Sequence, residues 1–300
     1  MSRKITPALR WAHRASRWSP RELAMTVHLG TVAAVGFDDL PPDKCLPLFR
    51  QMGCQVVQAY RNPEARLSVR QMKDAIASGG MPCDSLHGVY GEEYDPSAPE
   101  EPQRRSAVDT FKREGELAMN LGGPLVVVHC ATVRPEGIPP REHAKRVDQL
   151  KRSIEELGRF GQDSGVRYAF ENLPGYHAIG YDVAELADAV RALAVPNTGI
   201  CLDTGHAHMV GDAAEAVRTA SDQIIYVHFS DNSGTSDDHD MPTCGTLDCH
   251  SVAKALHDVS YSGTAMLEVF HQAGRLEQLI ADGCAGKLAT IVAIANGQGQ

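Results

Sequence analysis

A chain of 300 residues has the length of two ordinary domains or of one large single-core architecture. Its 43% hydrophobic and 22% charged residues exclude intrinsic disorder and collagen-like order. The formal charge of −9 is unevenly spread: residues 1–22 carry six Lys/Arg against Glu22 alone, leaving 23 basic and 37 acidic residues, a net −14, in the remainder. An acidic body repels a phosphate backbone, which counts against a nucleic-acid partner on charge grounds. No run approaches the roughly 18 uninterrupted apolar residues of a membrane span, and no apolar signal-peptide core follows the N-terminus, so a cytoplasmic protein without membrane contact is expected. The eight cysteines lack any C-x-x-C pair. Several fall in apolar runs, where a thiol packs as a small hydrophobe rather than as half of a disulfide.

In chain order, the basic segment 1–24 holds both tryptophans, Trp11 and Trp18, and reads as an arm. Packing on one end of the main domain or on a partner subunit, which would make the protein a homo-oligomer, is preferred over binding an anionic surface. Short apolar runs then mark strands at Met25–Gly30, Cys54–Tyr60, Pro82–His87, Leu125–His129, Val166–Glu171, Gly199–Asp203, Ile224–His228 and Thr264–Glu268. Segments of helical spacing lie between them at Asp43–Met52, Val69–Ala77, Arg104–Met119, Arg141–Asp163, Val183–Ala194, Ala213–Ala220 and Ser251–Val259. The Pro- and Glu-rich stretch Tyr94–Gln103 reads as a long loop. Near-continuous apolar strands separated by helices require a parallel sheet covered by crossover helices, and eight such units close into a (β/α)8 TIM barrel of about 250 residues. One α/β domain, residues 25–300, then absorbs the remaining length.

Active sites of such barrels form where the strands end. Six consecutive runs here end in an imidazole or a carboxylate: His87, His129, Glu171, Asp203 (with His206 shortly after), His228 and Glu268. Mixed His nitrogen and carboxylate oxygen donors without thiolate suit one Mn²⁺, Zn²⁺ or Co²⁺ ion, or Fe²⁺, better than a structural zinc. Glu171, Asp203, His228 and Glu268 come from four strands and can converge on one ion above the barrel axis. These four are the expected metal ligands.

Together with Glu171-Asn172-Leu173-Pro174, Asp203-Thr204-Gly205-His206, Val227-His228-Phe229-Ser230-Asp231-Asn232 and Asp237-Asp238-His239-Asp240-Met241-Pro242, these residues resemble the xylose isomerase-like sugar isomerase and epimerase barrels, a group that also includes the endonuclease IV type of abasic-site nuclease. The resemblance runs from His28-Leu29-Gly30-Thr31 to Leu267-Glu268-Val269-Phe270. It implies metal ligation by Glu171, Asp203, His228 and Glu268 and a substrate contact by His206. In the nuclease branch the residues matching His87, His129, His206, Asp237 and His239 complete a three-zinc site, so ligand identity leaves both branches open. The loop Gly88–Asp95, with three acids, favours a small neutral sugar or polyol over DNA. On that reading His87, His129, His206, Asp237 and His239 bind substrate, and the loop Ser236–Pro242 folds over the rim as a lid that brings His239 to it.

The expected reaction is isomerisation or epimerisation through an enediolate, with Glu171 and Glu268 exchanging protons on opposite faces of the substrate. The same ligand set permits dehydration of an inosose or keto-sugar. A phosphodiesterase and a non-catalytic sugar- or metal-binding barrel are the remaining alternatives. Elsewhere, His208 reads as capping or packing the following helix, Cys249 and His250 as loop or helix-start residues, and His28 as lining the pocket or filling a core layer. Tyr90, Tyr176 and Phe270 are candidates for an apolar pocket wall.

Overall fold

The computed structural model describes residues 26–298. The arm, residues 1–24, and the expected first strand residue Met25 lie outside the described residues. Eight parallel strands close in sequence order, with β1 (Val27–Val35) pairing both β2 (Val56–Arg61) and β8 (Gly263–Leu267). Between these are β3 (Cys83–His87), β4 (Leu125–His129), β5 (Arg167–Glu171), β6 (Thr198–Asp203) and β7 (Ile224–His228). The helices are α1 (Pro42–Gln51), α2 (Val69–Ala77), α3 (Glu101–Leu121), α4 (Pro140–Ser164), α5 (Val183–Leu193), α6 (Thr204–Val210), α7 (Ala213–Ala220), α8 (Cys249–Asp258), α9 (Ala273–Ala281) and α10 (Cys284–Ala295). The expected (β/α)8 barrel is the observed fold.

Side chains alternate between the two faces of a strand, so each strand feeds two cores. Outward residues such as Leu29, Val57, Leu86, Val126, Phe170, Leu202 and Leu267 belong to the main core with the helices. Inward residues Val56, Leu125, Val127, Ala169, Cys201, Tyr226 and Met266 form a second, smaller core inside the barrel. The helices start where acceptors meet their free N–H groups: Ser68 and Gln71 form a capping box on α2, while Asp182, Asp212 and Asp248 cap α5, α7 and α8.

Several boundaries differ from the expected ones. β1 runs on past Gly30 to Val35, because Thr31–Val35 continues the ladder with β2. Gly30 lies inside the barrel rather than ending the strand: a Cβ there would sit 2.5 Å from Met266 Cε and 2.7 Å from Thr264 Cγ2. The loop expected at Tyr94–Gln103 is shorter, since α3 begins at Glu101, and it is pinned by Asp95 to Arg146 Nη1 at 2.8 Å. Three helices, α6, α9 and α10, stand beyond the segments expected from helical spacing. Past α10, Asn296 clasps the first strand through both its amide atoms, accepting from Val27 N and donating to Val27 O at 2.9 Å each.

No disulfide joins the cysteines among the described residues, and only Cys244 is exposed. No single described helix is long and apolar enough to cross a membrane. The pair α9 and α10, bent by 77°, passes that test of length and composition together, but α10 buries Cys284, Leu288, Ile291 and Ala295 in the main core.

Candidate active site

The alternation that buries Val127, Ala169, Cys201, Tyr226 and Met266 inside the barrel places the residue two positions later at the C-terminal rim: His129, Glu171, Asp203, His228 and Glu268. Tyr60 on β2 and His87 on β3 are the rim residues of their strands. His228 stands at the centre. Its Nδ1 lies 2.8 Å from Glu171 Oε1, 2.9 Å from Glu268 Oε2 and 3.9 Å from Asp203 Oδ2. One donor atom from each of these four buried residues lies within 4.8 Å of the others. Glu171 Oε2, Asp203 Oδ2 and Glu268 Oε2 are buried and make no hydrogen bond of good geometry, with His129 Nε2 3.2 Å from the first and His228 Nδ1 2.9 Å from the last as ion-pair neighbours. Oxygens in that condition suit a cation as their missing partner.

Electrostatics points the same way. Burial, then the charges of Glu268 and Glu171, push Asp203 up to about 7 against the relief that His206 provides. Burial also disfavours the Glu268 charge, but His228 and His239 outweigh it and hold that carboxyl at about 2. His87 is depressed to about 4 by burial despite the nearby Glu268 and Glu171, so it is a neutral imidazole at physiological pH. Its Nε2 sits between the two glutamates, 3.7 Å from Glu171 Oε2 and 3.6 Å from Glu268 Oε1.

Backbone anchors hold this geometry. Asp203 Oδ1 accepts from His206 N at 2.6 Å, so it starts α6 and leaves Oδ2 to the centre. Asn172 bridges the ends of β5 and β6, donating to Asp203 O at 3.0 Å and accepting from Asp203 N at 2.8 Å. The loop after β7 is organised by Asp231, whose two oxygens accept from the backbone N–H groups of Asn232, Thr243, Gly245 and Leu247 at 2.8–3.0 Å. Gly245 permits this close approach, since a Cβ would stand 2.3 Å from Asn232 O.

That loop crosses the rim. His239 Nδ1 is 3.2 Å from Glu268 O, and Asp237 Oδ2 lies between His206 Nε2 at 3.2 Å and His239 Nε2 at 3.4 Å. His239 adopts a left-handed φ of 47°, a strained backbone state of the kind that clusters at functional sites. His206, Asp237 and His239 thus form another set of convergent donors, and His87, His129 and Glu171 a further one, with His129 Nε2 3.2 Å from Glu171 Oε2; two more overlap the central four, His87 with His228 and Glu268, and the buried thiol of Cys201 with Glu171 and His228. All nine residues singled out in the sequence meet at one rim.

Other candidates fall into place. His208 joins none of the donor sets; its Nε2 pairs with Thr246 Oγ1 at 2.8 Å. Cys249 opens α8. His28 belongs to a core layer at the opposite end of the barrel, with Nε2 3.0 Å from Thr264 Oγ1. Phe270 packs edge-on against Tyr60 and His239, and Tyr90 stacks on His129 at 4.8 Å between centroids. The acidic loop needs a correction: Asp95 turns inward to Arg146 and Glu92 pairs with Arg134 at 3.4 Å, so the loop presents less free negative charge than its sequence suggests. Arg61 is likewise bonded to the buried Glu114.

Two site residues escaped the sequence reading. Tyr60 lies against His87 at 4.9 Å and hydrogen-bonds Tyr90 through the two hydroxyls at 2.8 Å. Its position two residues past inward Gln58 was the available signal. His177 sits on the loop after β5 and had no strand-end signal at all.

A closed parallel barrel with a buried His and carboxylate donor set at its C-terminal rim defines the class. Residues 46–286 match the xylose isomerase-like TIM barrel family, and the chain belongs to it. Among curated relatives, the uncharacterized protein MJ1311 of Methanocaldococcus jannaschii is 27% identical over 187 residues, covering 61% of this chain and 63% of that protein. The chain therefore spans somewhat under two thirds of that relative's length. D-psicose 3-epimerase of Ruminiclostridium cellulolyticum is 23% identical over 239 residues, 75% of this chain and 76% of the enzyme. A solved D-tagatose 3-epimerase-like protein shares the fold with a TM-score of 0.71 at 20% identity, over 90% of this chain and 99% of its own.

Proposed function

We propose that this protein is a divalent-metal-dependent isomerase or epimerase of a small sugar or polyol. The observation that carries the reading is the convergence of Glu171, Asp203, His228 and Glu268, four buried donors from four strands. These four residues would hold one Mn²⁺, Zn²⁺ or Co²⁺ ion. A bound ion would supply Lewis-acid stabilisation of the negative charge that develops on the substrate oxygens in an enediolate.

The chain's own residues supply the proton chemistry. Each glutamate has one oxygen facing His228 and the other facing the imidazoles of β3 and β4: Glu171 Oε2 toward His129, Glu268 Oε1 toward His87. A carboxylate with one oxygen committed to the donor set and one turned to the substrate side can take a proton from carbon. The glutamates rise from β5 and β8, so one removes a proton on one face and the other returns it on the opposite face, which inverts that carbon. Return to the neighbouring carbon would isomerise instead. His206 and His239, gripped by Asp237, would orient hydroxyl groups, while Tyr60, Tyr90 and Phe270 wall one side.

The test is metal analysis followed by hydrogen exchange. The purified protein should hold about one tightly bound divalent ion per chain, and ketoses such as D-psicose should exchange a carbon-bound hydrogen with deuterated solvent. Glu171→Gln and Glu268→Gln should each abolish the exchange; undiminished exchange in either variant refutes its proton-transfer role.

A phosphodiesterase is the second reading, favoured by one observation, the presence beside the Glu171, Asp203, His228 and Glu268 set of two further ones, His87 with His129 and the shared Glu171, and His206 with Asp237 and His239. It calls for about three zinc ions per chain and incision of an abasic duplex. One ion and no incision reject it.

A further inference from the structure

Side chains inside a barrel of this kind stack in layers of four, each layer drawn from alternate strands. On the even-numbered strands the rim residues are Tyr60, His129, Asp203 and Glu268. The layer beneath them therefore consists of the residues two positions earlier: Gln58, Val127, Cys201 and Met266. Val127, Cys201 and Met266 belong to the small inner core. Gln58 is as fully buried as they are, at 0% exposure, but it is an amide. Its Nε2 and its Oε1 are both buried without a hydrogen-bond partner, and no other described side chain has two such atoms. An amide with neither end bonded is costly in such a layer, where a Met or Leu of similar volume would fill the same space at no such cost.

The metal set lies directly above. His228 rises from β7, between β6 and β8, so its ring stands between this layer and the rim residues over it. Its Nδ1 is turned to Glu171 and Glu268 at 2.8 and 2.9 Å, which leaves Nε2 as the free end of the ring. That nitrogen is buried and makes no hydrogen bond of good geometry, with the Cys201 thiol as the polar neighbour of the ring. Tyr226, which meets the ring edge-on at 5.9 Å, does not serve it, because its hydroxyl is committed downward to Asp84 Oδ1 at 3.0 Å. A metal-binding histidine ordinarily gives the N–H of its second nitrogen to a fixed acceptor, which sets the tautomer and the turn of the ring. A buried water held by two or more polar groups fills that role as well as a side chain does.

We propose that Gln58 is a positioning residue for the metal centre: its Oε1 holds one buried water beneath His228, and that water accepts the Nε2 hydrogen, so that Nδ1 presents its lone pair to the ion. The inference rests on the metal-dependent reading of the rim and adds the support that reading needs from inside the barrel. The water gives one hydrogen to Gln58 Oε1, and the amide NH₂ is left for the sulfur of Cys201, the other polar member of the layer. A neutral amide does this without placing a further charge under the carboxylates.

The experiment is titration of the full chain, stripped of metal, with Co²⁺, whose visible absorption reports the ligand geometry. The parent is compared with Gln58→Met, an apolar replacement of almost the same length. Gln58→Met should weaken Co²⁺ binding about ten- to a hundredfold and shift the cobalt band. The metal-free variant should melt no lower than the parent, because no unbonded amide remains in it. Met266→Leu, a change of shape in the same layer, should leave the affinity within about twofold. Gln58→Leu stands in should the Met variant lose its cooperative melting transition. A crystal structure of the Zn²⁺-loaded parent should show one ordered water within hydrogen-bond distance of both Gln58 Oε1 and His228 Nε2. Unchanged cobalt affinity and band in the Gln58 variant, a metal-free variant that melts well below the parent, equal weakening by Met266→Leu, or no water between Gln58 and His228 overturns the role of Gln58 alone. Parent protein that binds no divalent ion overturns the metal-dependent reading, and this inference with it.

Discussion

The two ends of the barrel interior hold similar polar residues in opposite conditions. At the N-terminal end β3 is irregular: Cys83 and Ser85 pair with the successive residues Val57 and Gln58, so Asp84 is left over. A bulge of this kind re-aims a side chain. Asp84 Oδ1 accepts from Ser85 Oγ at 2.8 Å and Tyr226 OH at 3.0 Å, and its Oδ2 from Thr264 Oγ1 at 2.6 Å, with His28 on the far side of Thr264. No buried atom of that group is left open. At the rim, buried atoms of Glu171, Asp203, His228, Asp237 and Glu268 lack a hydrogen bond of good geometry, as do both amide atoms of inward Gln58 between the two ends. Polar groups that satisfy one another hold a structure together, whereas buried carboxylates and imidazoles gathered at one mouth can take a ligand as their partner.

The largest effect should come from removing a proton-transfer group at the rim. Glu171→Gln or Glu268→Gln is expected to lower carbon–hydrogen exchange by about 10²- to 10⁴-fold, measured by mass spectrometry in deuterated solvent, while the melting temperature changes little. A large fall in melting temperature would mean that the rim, like the floor, serves stability.

Metal affinity should be strongly pH-dependent, with a sign set by the protons the ligands must lose. In the metal-free protein Asp203 titrates at about 7. Burial works against the His228 cation, but the Cys201 sulfur and the Glu268 and Glu171 carboxylates raise its pKa well above the ordinary value. Binding should therefore displace the His228 proton near neutrality and the Asp203 proton as well below pH 7. Affinity should fall as pH falls, about tenfold per unit above pH 7 and about a hundredfold per unit below it. Titration of Mn²⁺ or Co²⁺ at several pH values measures the slopes, and an affinity independent of pH would break the assignment of both ligands.

His239→Ala should reduce turnover by about tenfold and leave metal content at one ion per chain by mass spectrometry of the native protein. Loss of an ion in that variant would transfer His206, Asp237 and His239 from substrate binding to a second metal.

The smallest effect on chemistry belongs to the floor. Tyr226→Phe removes one of the three hydroxyl donors to Asp84 and should cost about 1–3 kcal/mol of stability, read by chemical denaturation, with metal content and exchange rate within about twofold of the parent. A loss of metal instead would connect the floor to His228, whose ring Tyr226 meets at 5.9 Å.

The amino-acid sequence by itself determined the strand order, the barrel and the residue types of its rim, because these depend on periodicities of two and 3.6 that are written locally. The same alternation that makes Ala169, Cys201, Tyr226 and Met266 inward decides that Glu171, Asp203, His228 and Glu268 point inward too. Tertiary structure alone decided how the nine residues group into donor sets, and that the lid loop reaches Glu268 rather than solvent. It also turned Asp95 away from the mouth to Arg146, joined Tyr60 to Tyr90, and set the ring of His177 against that of His129. Each of these is a contact between loops or strands far apart in the chain. Their geometry depends on barrel closure and on backbone anchors such as Asn172 and Asp231, which no local pattern of apolar and polar residues encodes.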